Sequence, residues 1–434
     1  MAGLGNLRSN GSMRRLFVFA VAILVSSSVA LTMASTAQGE NWPRFRGPNG
    51  TGVSDAKTIP TEWTDDDYRW VVELPGEGHS SPVVWGGRVF VTSADLSAGK
   101  RYLLCFDSES GKELWRRDYP LAKYKKHGNN SFATNTPCCD AMHVYALWQT
   151  GGGDCALHAV DHDGKPQWQV DLGRFRGGHG PAVSPIVYGD MVIVANDQDG
   201  TSSLLAFDAK TGEQRWRVPR ESARTQYSTP CVFTTKGRKP ELIFTDMHHG
   251  ITAVDPASGK VNWEISVFGT FKQRAIASPV LTDELVIGLS GFTTAEKNAV
   301  AVRPGVDARE TTAREVWRVS RSVPHLPTPI VYRDRMYLWT DRGGIVTCIN
   351  LADGNSVWQQ RIGGNFSGSP VCVGGKIYCA DDDGTVYVIA AADEYQLLGK
   401  SELGHPTRAT PAVAGGAMFW RTYSHLMCIE QQDE

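Results

Sequence analysis

Sustained helical periodicity is absent from this 434-residue chain, which argues against a helical repeat. Long hydrophobic runs are also missing. The longest near the start, residues 16–25, is ten residues and too short for an ordinary membrane-spanning helix. Neither sign of charge dominates, with 44 Lys and Arg against 46 Asp and Glu for a net charge of −2. Such a chain has no generic electrostatic reason to bind nucleic acid or an anionic membrane. The motifs that announce common chemistries are missing too. There is no C-x-x-C-H for haem, no G-x-S-x-G, no H-E-x-x-H and no phosphate-binding loop.

The first segment reads as an export signal rather than as part of a fold. Arg8, Arg14 and Arg15 precede the apolar run, and small residues follow as far as Ala37. That order predicts a secretory signal peptide over residues 1–37, cut after Ala37, and a periplasmic or secreted mature protein with no membrane span. Cleavage removes three arginines and no acid, taking the net charge from −2 to −5. Arg14-Arg15 is a weak hint of twin-arginine export, and no cysteine near the cut supports a lipid anchor.

What the chain does have is repetition. Residues 204–216, LLAFDAKTGEQRW, read as a strand, a turn opened by Asp208 and closed by Gly212, and a strand carrying Trp216. The phrase returns with Asp107 and Trp115, with Asp255, Gly259 and Trp263, and ahead of Trp358; looser copies end at Trp168 and Trp317. A second marker, Ser or Thr followed by Pro, recurs at Pro82, Pro137, Pro185, Pro230, Pro279, Pro329, Pro370 and Pro411. Between markers the pattern is a short strand, a tight turn, an alternating strand, a Gly-bearing polar turn, the strand before the Asp and the strand with the Trp. Four strands per unit at this period predict an all-β, eight-bladed β-propeller of four-stranded antiparallel blades. The Asp side chains cap turns by accepting backbone N–H bonds, the glycines supply positive φ, and each Trp offers an apolar plate to the next blade.

Trp70 stands at the spacing of a fourth-strand Trp although no blade precedes it, and the last copy stops after its third strand. An N-terminal strand is therefore expected to complete the last blade, which removes the open edge. The chain divides into a signal peptide (1–37), a lead-in (38–62), the propeller (63–430) and a short tail (431–434). Residues 38–55 are expected to matter less for stability than the closing strand.

Several single features invite chemistry. Most of the nine cysteines fall in columns filled elsewhere by Ala, Val or Ile, so they read as small core residues. Cys138-Cys139 raises a vicinal disulfide, which adjacent extended residues disfavour. Residues 196–200 and 381–384 look like calcium loops but lack the downstream Glu and flanking helices of an EF-hand, and as hairpin turns they need no metal.

The phrase Ala-x-Asp-x-x-Thr/Ser-Gly-x-x-x-Trp, complete at residues 206–216 and 253–263, resembles the repeat of the pyrroloquinoline-quinone (PQQ)-like β-propeller superfamily. That superfamily includes quinoprotein alcohol dehydrogenases and the assembly factor of outer-membrane β-barrels. The opening NWPRFRGP, residues 41–48, resembles the lead-in of secreted propellers from planctomycete-type bacteria. The resemblance implies the fold and leaves activity to be argued from a site. No catalytic residue and no metal ligand is assigned. The first reading is an exported, non-enzymatic scaffold without a cofactor. The alternative is an alcohol or sugar dehydrogenase with PQQ and Ca²⁺ in the central channel. A carbohydrate-active enzyme, the third class, needs paired carboxylates around one pocket.

The working face follows from blade geometry. Pre-proline linkers and second-to-third-strand turns emerge on one face, and the Asp–Gly turns on the other. The linkers carry His79, Asn130, His179, Tyr227, Arg274, His325, Asn365 and Arg408, which should ring a funnel mouth. Asp197, Asp199, His248, Arg342, Asp381 and Asp382 lie in the turns further out. A mouth so furnished suits a protein partner with an acidic loop, or a small polar ligand that is anionic or polyhydroxylated.

Overall fold

The computed structural model describes residues 41–430 apart from 58, 122, 151, 223, 269–273, 293–295 and 306–311. The expected signal peptide and the tail at 431–434 lie outside the described residues. Eight four-stranded antiparallel blades are arranged as a propeller, each of sequential strands except the last, which takes its outer strand from the N-terminal side. Blade 1 is typical: Val83–Trp85 lies innermost, followed outward by Arg88–Asp95, Lys100–Asp107 and Glu113–Pro120. The only helical turns among the described residues are short 3-10 turns at Pro48–Gly50 and Asp65–Asp67.

The ring closes as the spacing predicts. Tyr68–Glu73 pairs with His425–Ile429 as the outer strand of blade 8, with Trp70 opposite Cys428. An N-terminal strand thus protects an edge that the C-terminal blade would otherwise expose.

The repeated phrase locks blade to blade. Asp107, Asp208 and Asp255 each accept a backbone N–H three residues on, at 2.8 to 2.9 Å, which fixes the turn. Each repeat Trp reaches into the next blade's turn: Trp70 Nε1 donates to Ser108 O, Trp115 to His162 O and Trp216 to Pro256 O. The turn glycine does two jobs there. Gly212 has φ +76° and lies beneath the Trp168 indole, where an added Cβ would sit 2.8 Å from the ring. Opposite each Trp on the neighbouring strand stands a small residue, Cys105 for Trp115, Ala206 for Trp216 and Cys348 for Trp358. The cysteine columns are therefore packing positions, and all nine thiols are buried and free, Cys138 and Cys139 included.

The Ser/Thr of the proline marker forms a belt around the axis. The backbone N–H of Ser81 donates to Thr136 Oγ1, that of Thr136 to Ser184 Oγ, and that of Ser278 to Thr328 Oγ1. Thr328 continues to Ser369, Ser369 to Thr410, and Thr410 back to Ser81, all at 2.9 to 3.1 Å. A hydroxyl here satisfies the preceding blade's buried N–H, which explains why the marker is Ser or Thr and not another small residue.

Candidate functional site

The channel is not empty. The lead-in enters from the face of the first-to-second-strand turns, where Gly86 N donates to Asn41 Oδ1, and returns to that face where Gly374 N donates to Ser54 O. Between these points it runs along the inner strands of separate blades. Trp42 exchanges both backbone bonds with Val84 of blade 1, and Cys139 N of blade 2 donates to Pro43 O. Arg44 Nη2 donates to Pro230 O, and the Asn49 amide bonds Val232 N and O like a strand residue, both at 2.7 Å. Val53–Ser54 adds in parallel to Val371–Val373 of blade 7.

Arg46 is the apex of this insert, 1% exposed. Its guanidinium donates to the carbonyls of Gly50, Thr51, Thr328, Pro329 and Pro370, at 2.8 to 3.2 Å. Burial lowers its pKa to about 10, because five carbonyl dipoles offset only part of the lost hydration. The lead-in, expected to matter less for stability than the closing strand, fills the channel. A cavity of about 170 Å³ remains beside it, lined by Arg46, Asn49, Leu281 and Val331 among others.

On the opposite face the linkers interlock. Arg274 Nη2 lies 3.3 Å from His179 Nδ1, and its Nε donates to Thr225 O. Asn130 Nδ2 donates to His179 O, and the His179 ring stacks on His127 at 5.0 Å. Arg408 donates to Asn129 O and to Tyr423 Oη, and Tyr423 packs on the His79 ring at 4.7 Å. Tyr227 and His325 flank this set: Tyr227 N donates to Ala275 O, and the His325 ring packs on Phe292, next to the Gly291 that bridges Arg274. Burial raises the Tyr227 pKa and lowers that of His325 to about 4. Seven of the eight expected residues thus lie on one connected or adjoining surface. Asn365, the eighth, is exposed, bridges Arg342 of the blade 6 turn, and meets the mouth through Asp382, whose N–H donates to Asn365 O.

The outer turn residues divide. Asp199 holds Thr225 through N–H and hydroxyl, and Asp382 lies 3.5 Å from Arg408, so both adjoin the mouth. His248 and Arg342 are exposed. Two do not face the funnel. Asp197 is buried between blades with Arg220, at 3.4 Å, and burial beside Asp246 raises its pKa to about 6. Asp381 accepts the N–H groups of Asp383, Gly384 and Thr385 and so builds its own turn. Short acidic side chains in a hairpin turn face backbone donors before they face a ligand.

The mouth is electropositive. Lys126, Arg224, Arg274, Lys297 and Arg408 outnumber Asp199, Asp341 and Asp382, and Asp341 is occupied by Lys297 at 2.7 Å. Burial first, and then these cations, hold the pKa values of His79, His179 and His325 low. Burial, then Arg421, Arg408 and Lys126, lowers the His79 pKa to about 3, and burial with Arg274 takes His179 to about 4. No three His, Cys, Asp or Glu side chains among the described residues are grouped as a metal-ligand set.

Sequence reasoning missed the channel residues Trp42, Arg44, Arg46 and Asn49, and the mouth residues Lys126 and His127. A signal existed for the first group: two arginines framed by Trp-Pro and Gly-Pro-Asn-Gly, in a segment that belongs to no blade, are unusual for an idle leader.

Eight such blades, locked by Asp–Gly turns and indole plates, define a PQQ-like β-propeller. Within that class the chain belongs to the family described as outer membrane protein assembly factor BamB, whose model matches residues 53–131, 99–302 and 305–418. It is 25% identical over 399 residues to the outer membrane protein assembly factor BamB of Bordetella pertussis, covering 90% of this chain and 91% of that one. BamB from Moraxella catarrhalis superposes with a TM-score of 0.58 at 15% identity, over 84% of this chain and 97% of that one. Quinohemoprotein alcohol dehydrogenase from Comamonas testosteroni gives 0.65 at 14% identity, over 93% and 82%. At such identities the structural likeness shows a shared fold and leaves activity open.

Proposed function

We propose that this protein is an exported, non-catalytic scaffold that presents its linker face to a protein partner through an acidic segment of that partner. One observation carries the reading: the chain fills its own channel from the turn face, while the opposite mouth gathers cations in excess of carboxylates. Membership in a family described by an assembly factor supports it. Such a face would steer and orient a partner more than it would hold one by area alone.

The dehydrogenase reading does not suit these residues. Arg46 and the lead-in take up the axis, and the carboxylates nearest the mouth are each engaged, Asp199 with Thr225, Asp341 with Lys297 and Asp382 with Arg408. Ca²⁺ beside a quinone would have to displace one of these pairs. Addition of PQQ and Ca²⁺ is expected to produce no quinone absorbance on the protein and no dye-linked alcohol oxidation.

The experiment that tests the scaffold reading is site-directed photo-crosslinking in the intact envelope. A crosslinker at exposed His127 or Asn365 should capture a partner, and one at Lys210 or Lys260 on the Asp–Gly face should not. Replacing Arg274 and Arg408 with Ala should remove the capture. Capture from the Asp–Gly face alone would refute the assignment. Export itself is checked by N-terminal sequencing, which should begin at Gln38.

A further inference from the structure

We infer that the floor of the mouth between blades 3 and 6 is a carboxylate-binding pocket formed by Arg274, Tyr227 and His325. The inference rests on the scaffold reading above and names the chemical group that the face receives. Three observations converge on it. Arg274 is 7% exposed and uses Nε for Thr225 O and Nη2 for His179, and no carboxylate pairs with it. Tyr227 Oη is buried and has no hydrogen-bond partner. His325 is 8% exposed, and its Nδ1 likewise has no partner.

Unpaired buried hydroxyl and imidazole groups are costly, and these two sit on linkers joined to that of Arg274: Tyr227 N donates to Ala275 O, and the His325 ring packs on Phe292, next to the Gly291 that bridges Arg274. The nearby acids do not resolve it. Asp199 is held by Thr225, and Asp341 accepts from Lys297 and from the His325 backbone N–H rather than from its ring. An arriving carboxylate can accept from all three groups at once, a charge-assisted arrangement with Arg274 supplying the charge. A neutral polyol lacks that last component. His179 is excluded as a donor through Nδ1, because that atom already faces Arg274.

The chemistry has two sources, a free small carboxylate or an acidic side chain of the partner, and the probes separate them. Calorimetry on the full chain would use succinate and, separately, a peptide of six glutamates. Tyr227→Phe is the informative variant, because no atom among the described residues stands at full hydrogen-bond distance from the hydroxyl, which has the Thr225 side chain near it, and the fold should be unaffected. A loss of about tenfold in affinity for either probe is expected, the usual scale for one hydrogen bond to a charged acceptor. His325→Ala should do the same, and Arg274→Ala should remove binding. Peptide binding far above succinate assigns the pocket to a partner's acidic segment, and the reverse assigns it to a free carboxylate. Equal binding by wild type and Tyr227→Phe, or no binding of either probe, overturns the pocket. That failure is distinct from failure of the scaffold reading, which falls only if the crosslinked partner sits on the Asp–Gly face.

Discussion

Replacing Arg46 with Ala should destabilise the propeller by about 3 kcal/mol, although Arg46 makes no ion pair. Two effects oppose each other. Removing a buried, unpaired cation relieves the desolvation that already lowers its pKa to about 10. Against this, the carbonyls of Thr328, Pro329 and Pro370 lose their donors inside the channel. Each buried acceptor left unpaired costs about 1–3 kcal/mol. Water entering the vacated space, which adjoins the cavity of about 170 Å³, recovers part of that. The unpaired carbonyls win because there are three of them, on two blades, and relief of desolvation applies once.

The assay is thermal unfolding of the full chain. With an unfolding entropy of about 2 cal/mol/K per residue over roughly 400 residues, 3 kcal/mol corresponds to about 4 °C in Tm. Arg46→Lys should recover less than half, since an ammonium has three donors and no planar fork. Methylguanidinium at millimolar concentration should raise the Tm of Arg46→Ala and leave wild type unchanged. A Tm for Arg46→Ala within 1 °C of wild type, or full recovery by Lys, would refute the argument that carbonyl satisfaction holds the lead-in in place.

Three further outcomes follow from the same geometry. Gly212→Ala should cost about 2 kcal/mol or more by chemical denaturation, because positive φ and the Trp168 indole at 2.8 Å both oppose a Cβ. A chain beginning at Gly76 loses the strand Tyr68–Glu73 as well as the channel filling, and it should aggregate or melt well below the parent in a light-scattering melt. His79, with a pKa lowered to about 3, takes up its proton in the unfolded chain first. Its contribution is therefore complete above about pH 6.5 and declines as the pH falls toward 3; at pH 5 the loss is about 2 kcal/mol. His79→Phe should flatten the fall of Tm between pH 7 and pH 5, and an unchanged slope would refute that assignment.

The blade count, the closing strand and the role of the Asp–Gly–Trp phrase were legible because each is periodic. A turn that needs Asp at its start and Gly at its end writes the same letters every time, as at Asp208–Gly212 and Asp255–Gly259. The linker residues were legible as a face, since topology alone puts His79, His179 and Arg274 on one side. Their partners were not. Whether Arg274 meets His179 or solvent depends on loop paths that no period constrains. Asp197 and Asp381 were misplaced for a related reason: turn acids look alike in sequence whether they face a ligand, a buried Arg220 or their own backbone. The channel filling was missed because it is aperiodic, a single use of Trp42, Arg44, Arg46 and Asn49, so its only signal was composition and no repeat showed which neighbours it meets.

That single use has a place in the ring where it matters most. Six links of the Ser/Thr belt are made, and the two that would run through Thr229 are not, leaving Ser278 Oγ without a partner. Blade 4 is therefore the one whose inner strand is not held by the belt, and it is the blade that Arg44 and Asn49 grip, at Pro230 and Val232. The lead-in replaces the missing hydroxyl contacts with a side-chain amide that pairs like a strand. Asn49→Ala should accordingly cost about 2 kcal/mol, two half-buried backbone groups of Val232 losing their partners at 2.7 Å. Ser369→Ala, which removes one accepting hydroxyl where belt links remain on both sides, should cost about 1 kcal/mol. Hydrogen exchange locates the difference: Asn49→Ala should speed exchange in Cys231–Phe233 and the strands beside it while blades 7 and 8 stay protected. Equal losses for the two variants, or loss of protection spread evenly around the ring, would mean that the belt and the lead-in act independently and that the gap at Thr229 is incidental.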